Sequence, residues 1–155
     1  MNSQKPRVNQ RVAPIVMLNN RASFAYLNGV AIVISDVDKW TDALVLELIE
    51  EQANLADNES ALANITHFFG DIFGASHRKL IVEWIEKKGL TPSPRTALVT
   101  DSTLMRAALT AYSWLTKTET KAFDVKDREA MCQWVTQGID ISADEVKSAL
   151  EACYK

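Results

Sequence analysis

Asp101 and Ser102 follow a short apolar run, 96–100, and open a helix-like stretch. They stand where free backbone amides and a helix dipole favour an anion. Asp and Ser are also the usual helix caps, and residues 99–105 hold none of the glycines that let a backbone close on a phosphate, so capping is the expected role. Arg106 lies on the polar side of the same helix, one turn from Thr110 and near Ser113, with Trp114 on the flank. An Arg beside an exposed Trp would suit an interface hot spot; a solvated Arg and a packed Trp are the commoner outcomes. His67 and His77 are the only histidines, and no HxxxH or HExxH spacing gives either a second ligand or a positioned carboxylate. Ser76 and His77 are adjacent on a helix and do not face each other, so they are no dyad. Cys132 and Cys153 lack partners at motif spacing and read as small buried hydrophobes. These residues spell out no catalytic set, no metal site and no cofactor site. The candidates that survive are contact residues: Asp71, Phe73 and Ser76 in the turn bracketed by Gly70 and Gly74, then Asp101, Ser102, Arg106 and Trp114. Phe73, in that tight turn, is the expected exposed aromatic.

The elements that must position these residues follow from pattern. Leu27-Asn28-Gly29 between two β-prone runs, 23–26 and 30–35, is a hairpin signal, because both turn positions want φ > 0. A run at 13–18 adds a first strand. Asp36 or Asp38 is placed to cap a helix whose Leu44, Val45, Leu48 and Ile49 share one face. Residues 64–70, NITHFFG, are β-branched and aromatic and form a central strand. Ser76 is placed to cap a second helix carrying Leu80, Ile81, Trp84 and Ile85, which Gly89 stops. Residues 95–134 then read strand, turn, helix, strand, turn, helix, a βαβ unit that implies parallel pairing. Ser142 and Glu145 form a capping box ahead of a last helix. The expected fold is α/β: a mixed sheet made of an N-terminal hairpin plus βα units, with helices mainly on one face.

Composition bounds the function classes. A chain of 155 residues makes one domain, here 13–155 behind a polar, basic arm at 1–12. The net charge of -3 supplies no basic field for nucleic acid. The longest apolar runs are too short to span a bilayer, and no long apolar stretch follows the N-terminus, which makes a cytoplasmic location the default.

The element order, with Thr100-Asp101-Ser102, Arg106, Thr110-Ala111-Tyr112-Ser113-Trp114, Ala122-Phe123 and Trp134, resembles the STAS domain in its SpoIIAA-like form, and is sharpest for small bacterial members over about 63–135. The resemblance implies a regulatory or protein-interaction module that is not an enzyme. In the sporulation-type members a serine in the turn after the third core strand is phosphorylated within a motif resembling Asp-Ser-Ser-Gly. The turn here, Gly70-Asp71-Ile72-Phe73-Gly74-Ala75-Ser76, lacks that motif, and Ser76 is its nearest hydroxyl. It also implies that such domains pair, and an N-terminal edge strand is a template for a homodimer. The alternative is a small hydrophobic-ligand or lipid-binding domain of the related SEC14-like topology, motivated by four Trp, the Phe-rich turn and the apolar content. An enzyme built on Asp101, Ser102 and Arg106 ranks last, since no base stands near Ser102.

Overall fold

The computed structural model describes residues 11–56, 60–100 and 102–154. Its elements run β1 (Arg11–Met17), β2 (Ala22–Leu27), β3 (Val30–Ser35), α1 (Asp42–Leu55), β4 (Ala63–Phe68), α2 (Ala75–Lys87), β5 (Arg95–Val99), α3 (Thr103–Thr116), β6 (Glu119–Phe123), a 3₁₀ turn at Val125–Asp127, α4 (Arg128–Val135) and α5 (Ala143–Cys153). The arm expected at 1–12 falls, over 1–10, outside the described residues; residues 11 and 12 already belong to β1.

The six strands form one mixed sheet in chain order. β1 to β3 pair antiparallel and β3 to β6 pair parallel, which is the expected α/β arrangement of a hairpin followed by βα units. Asn28 (φ 49°) and Gly29 (φ 90°) take the left-handed conformations that close the β2–β3 turn. From β3 onward each parallel step moves one strand further in the same direction, so right-handed crossovers put α1, α2 and α3 on a single face, where they pack side by side. The chain then returns across the opposite face as α4 and α5, and α5 lies over β1, β2 and β3. The helices therefore divide three and two. The expected weighting towards one face is slight, and both faces are covered because β3 is apolar on both and buried along its whole length.

Local choices explain the element ends. Thr41, rather than Asp36 or Asp38, caps α1, its hydroxyl accepting from the Leu44 N–H at 3.2 Å. Ser142 caps α5 and accepts from the Glu145 N–H at 3.1 Å, while its hydroxyl donates to the Glu145 carboxylate at 3.2 Å. A side chain at Gly70 would put its Cβ 2.4 Å from the Val37 carbonyl oxygen, so glycine is what lets the two loops at the ends of β3 and β4 touch. The free edges are guarded. β1 carries Pro14 and an irregular register between Arg11 and Ile15, and β6 exposes Glu119 and Lys121.

Candidate functional site

Alternation along the parallel strands sorts their side chains between two unlike environments. In β4, Ala63, Ile65 and His67 face α4 and α5, while Asn64, Thr66 and Phe68 face α1 to α3. In β5, Ala97 and Val99 take the first direction and Thr96 and Leu98 the second. Register aligns the second set into rows: Tyr26, Ala31, Asn64 and Thr96 in one, Phe24, Val33, Thr66 and Leu98 in the next. These rows are the floor of a cavity of about 230 Å³, roofed by Leu48 and Ala53 of α1, Ile81 and Trp84 of α2, and Met105 and Leu109 of α3. The roof is incomplete because α2 buries only Ile81 fully, and its other apolar residues, such as Leu80 and Ile85, are only partly covered.

The cavity is mostly apolar, and apart from Thr66 in the middle of its floor its polar groups gather towards its two ends. At the start of β4 and β5, the Asn64 amide donates to the Ser93 hydroxyl at 2.8 Å, and Ser93 donates to the Ala61 carbonyl at 3.1 Å. Beside them Thr96 is only 8% exposed, and its hydroxyl has no hydrogen-bond partner among the described residues. Such an orphan costs about 1–3 kcal/mol of desolvation. At the far end Arg78, in the first turns of α2, donates from Nη1 to the Phe73 carbonyl at 2.8 Å, while its Nε is buried with no partner among the described residues. Among the described residues Arg78 is the only charged side chain lining the cavity.

The residues singled out by the sequence divide between this cavity and the outer surface. Phe73 is half-buried, a cavity-lining ring packed edge-on against Trp40 and Phe68 with centroids 4.8 Å away in each case. The exposed aromatic of this segment is instead Phe69, 57% exposed at the end of β4. Asp71 is a brace. Its carboxylate accepts from the Trp40 backbone N–H at 3.0 Å, its carbonyl from the Trp40 indole at 2.9 Å, and its N–H donates to the Val37 carbonyl at 2.7 Å. Ser76 is exposed in the first turn of α2 and does not cap it. The cap position belongs to Gly74, whose N–H donates to His77 Nδ1 at 3.2 Å, and His77 Nε2 stands 3.7 Å from the Asp42 carboxylate. Ser102 is the N-cap of α3, accepting from the Met105 N–H at 3.4 Å and donating its own N–H to the Thr100 hydroxyl at 2.9 Å. Asp101 lies outside the described residues. Arg106 and Trp114 are exposed on α3, Trp114 at 79%, with Leu104 also exposed at 71%.

A second cluster, invisible in the sequence, occupies the other face at the end of β4. His67 Nδ1 and the Tyr154 hydroxyl are 2.8 Å apart, the Phe69 ring stacks on His67 at 4.1 Å, and the Arg128 guanidinium sits 4.4 Å over the Tyr154 ring. Burial, with Arg128 second, lowers the His67 pKa, and burial pushes Tyr154 up to about 12. Both groups are thus neutral at pH 7, and the pair is a hydrogen bond that ties the end of α5 to the sheet rather than an activated base. Burial likewise pushes Cys132 and Cys153 up to about 11, so neither thiol is a reactive thiolate at neutral pH. Among the described residues no group of His, Cys, Asp and Glu gathers with the geometry to hold a metal ion, and no helix is long and apolar enough to cross a membrane. Compared with protein-family models, curated proteins and solved structures, the chain matches none.

Proposed function

We propose that this chain is a non-enzymatic binding module, of the SpoIIAA-like kind its second half resembles, that holds a small, mainly apolar molecule between the sheet and α1 to α3. The observation that carries this reading is the 230 Å³ cavity with the unpartnered Thr96 hydroxyl in its floor. Ligand sites are concave, mostly apolar, and set with a few polar groups that fix orientation. Residues that served stability alone would fill such a volume with methyl groups, as those on the opposite face do. An apolar cavity of ~150 Å³ admits benzene, so this one, open at its roof, takes on the order of ten non-hydrogen atoms, too few for a two-chain lipid.

Titration with toluene, followed by methyl NMR, tests the reading. Shifts are expected at Leu98, Ile81 and Met105, and none at Leu150 or Met131. Ala31→Leu, which places a larger side chain in the cavity floor, should abolish them. Shifts absent from the cavity methyls, or unchanged by Ala31→Leu, would overturn it.

The exposure of Leu104 and Trp114 favours a second reading, in which α3 meets a protein partner or a second copy of this chain. An exposed Trp is the kind of side chain that anchors an interface. Light scattering across a concentration series, with wild type and Trp114→Lys side by side, decides whether the partner is another copy. A mass that rises in wild type alone supports the homodimer, and a monomer mass throughout removes it.

A further inference from the structure

We infer that the ligand of this cavity is a small monocarboxylate with an apolar ring or chain and a neutral polar group at its far end; the inference rests on the binding reading above. Arg78 brings the cavity its single formal charge, and no Asp, Glu or Lys lines it among the described residues. A guanidinium stays charged at any physiological pH and has five donors in a fixed fork. The hydrogen bond from Nη1 to the Phe73 carbonyl holds the fork in place, and Nε, buried and unpartnered, is a donor with nothing to donate to. A carboxylate is the group that satisfies it best, because charge-assisted bonds to a planar guanidinium are short, directional and about twice as strong as neutral ones.

The other end asks for different chemistry. Thr96 Oγ1 is buried without a partner, next to the Asn64–Ser93 pair, where no charge is present. A hydroxyl or carbonyl oxygen completes this end, whereas a second carboxylate would be left without a counter-ion. The two ends lie far apart along the strands. Asn64 pairs with Thr96, while Phe73 and Arg78 gather around Phe68, four residues further along β4. That is roughly 13 Å of strand at about 3.3 Å per residue. Hydrogen bonds of about 3 Å at each end leave about 7 Å between them, the length of a ring with one short arm. The middle, floored by Val33, Thr66 and Leu98 beneath Leu48 and Ile81, is mostly apolar and accepts the ring.

Phenylacetate, its neutral isostere phenylacetamide, 4-hydroxyphenylacetate and toluene make a probe set that separates the claims. Binding is measured by NMR titration and isothermal calorimetry on wild type, Arg78→Gln and Thr96→Val. Phenylacetate should bind at least tenfold tighter than phenylacetamide to wild type, and Arg78→Gln should erase that ratio while leaving toluene binding intact. 4-Hydroxyphenylacetate should bind several-fold tighter than phenylacetate, an advantage that Thr96→Val removes. If toluene and both isosteres bind with no preference for the acid, or if Arg78→Gln keeps the preference, the carboxylate inference fails and the cavity reading stands. If no probe, toluene included, shifts the cavity methyls, both fail. Retained toluene binding in each variant certifies its fold, so a lost preference cannot be attributed to unfolding.

Discussion

The two faces of the sheet share the same strands and differ in how completely they are filled. Under α4 and α5, Met131, Cys132, Val135, Val146 and Leu150 interlock with Ala25, Ile32, Ile65 and Ala97, all fully buried. Under α1 to α3 a cavity remains, and its floor includes Asn64, Thr66 and Thr96. Strand alternation produces the difference, since every second residue of β4 and β5 belongs to the other environment. Total apolar content therefore says little about which face holds a cavity. Polar residues on the alternate register of a central, doubly covered strand say more, because packing alone would have placed Val or Ile there.

Large-to-small substitutions test the contrast most forcefully. Leu150→Ala should cost about 3–5 kcal/mol, since a tightly enclosed site relaxes poorly around a new void. Leu98→Ala, beside space that is already empty, should cost about 2 kcal/mol or less. Urea denaturation of the two variants measures both, and equal losses would break the comparison. The reverse substitution sharpens it. Ala97→Leu on the filled face should destabilise by about 1–3 kcal/mol through overpacking, whereas Ala31→Leu, pointing into the cavity, should stay within about 1 kcal/mol of wild type.

At the mouth of α3 the expected effects are smaller. Ser102→Ala should cost about 1 kcal/mol as the cap to the Met105 N–H is lost, and Ser102→Asp should be tolerated because a carboxylate accepts the same amide and suits the helix dipole. Thermal melts of the pair check this. A Ser102→Ala melt coincident with wild type would mean the cap is dispensable.

The smallest effect is the pH response of the filled face. His67 has a lowered pKa in the fold, from burial first and Arg128 second. Below the unfolded value of about 6.5 the unfolded chain takes up a proton that the folded chain refuses, so stability falls as pH drops from 7 towards 5 and levels off below the folded pKa. Melts across that range should show a shallower acid slope for His67→Gln than for wild type; parallel slopes would remove His67 from the account.

What could be seen in the sequence was local. The Asn28-Gly29 turn, the Ser102 and Ser142 caps and the strand-helix-strand order of 95–123 depend on neighbours a few residues apart, and all are present. The cap of α1 is not legible locally, because Asp36 and Asp38 offer the same chemistry as Thr41, and only the backbone path decides among them. Phe73 pointed to exposure by its glycine-bracketed turn, yet Trp40 reaches across from the loop after β3 to cover it. The cavity was hidden because Asn64, Thr66 and Thr96 are ordinary strand residues until β4 and β5 are placed in register. Their alternation on central strands was the one available signal. No local pattern joins His67 to Tyr154, which are 87 residues apart.

Because strand neighbours in space are neighbours in sequence, the sheet can grow by sequential addition, each parallel step closing the loop of a single βα crossover. The exception is α5, which lies on β1, β2 and β3 and follows a loop tied to the β2–β3 turn, where the Asn28 amide donates to the Asp140 carbonyl. A chain emerging from the ribosome can therefore assemble most of its sheet while one apolar side stays bare, and that side is sealed only when 146–153 arrive. Sequence separation is greatest at this last docking, where the C-terminal helix meets the first three strands. Synthesis thus leaves an interval in which the nascent sheet is open to aggregation or to a chaperone.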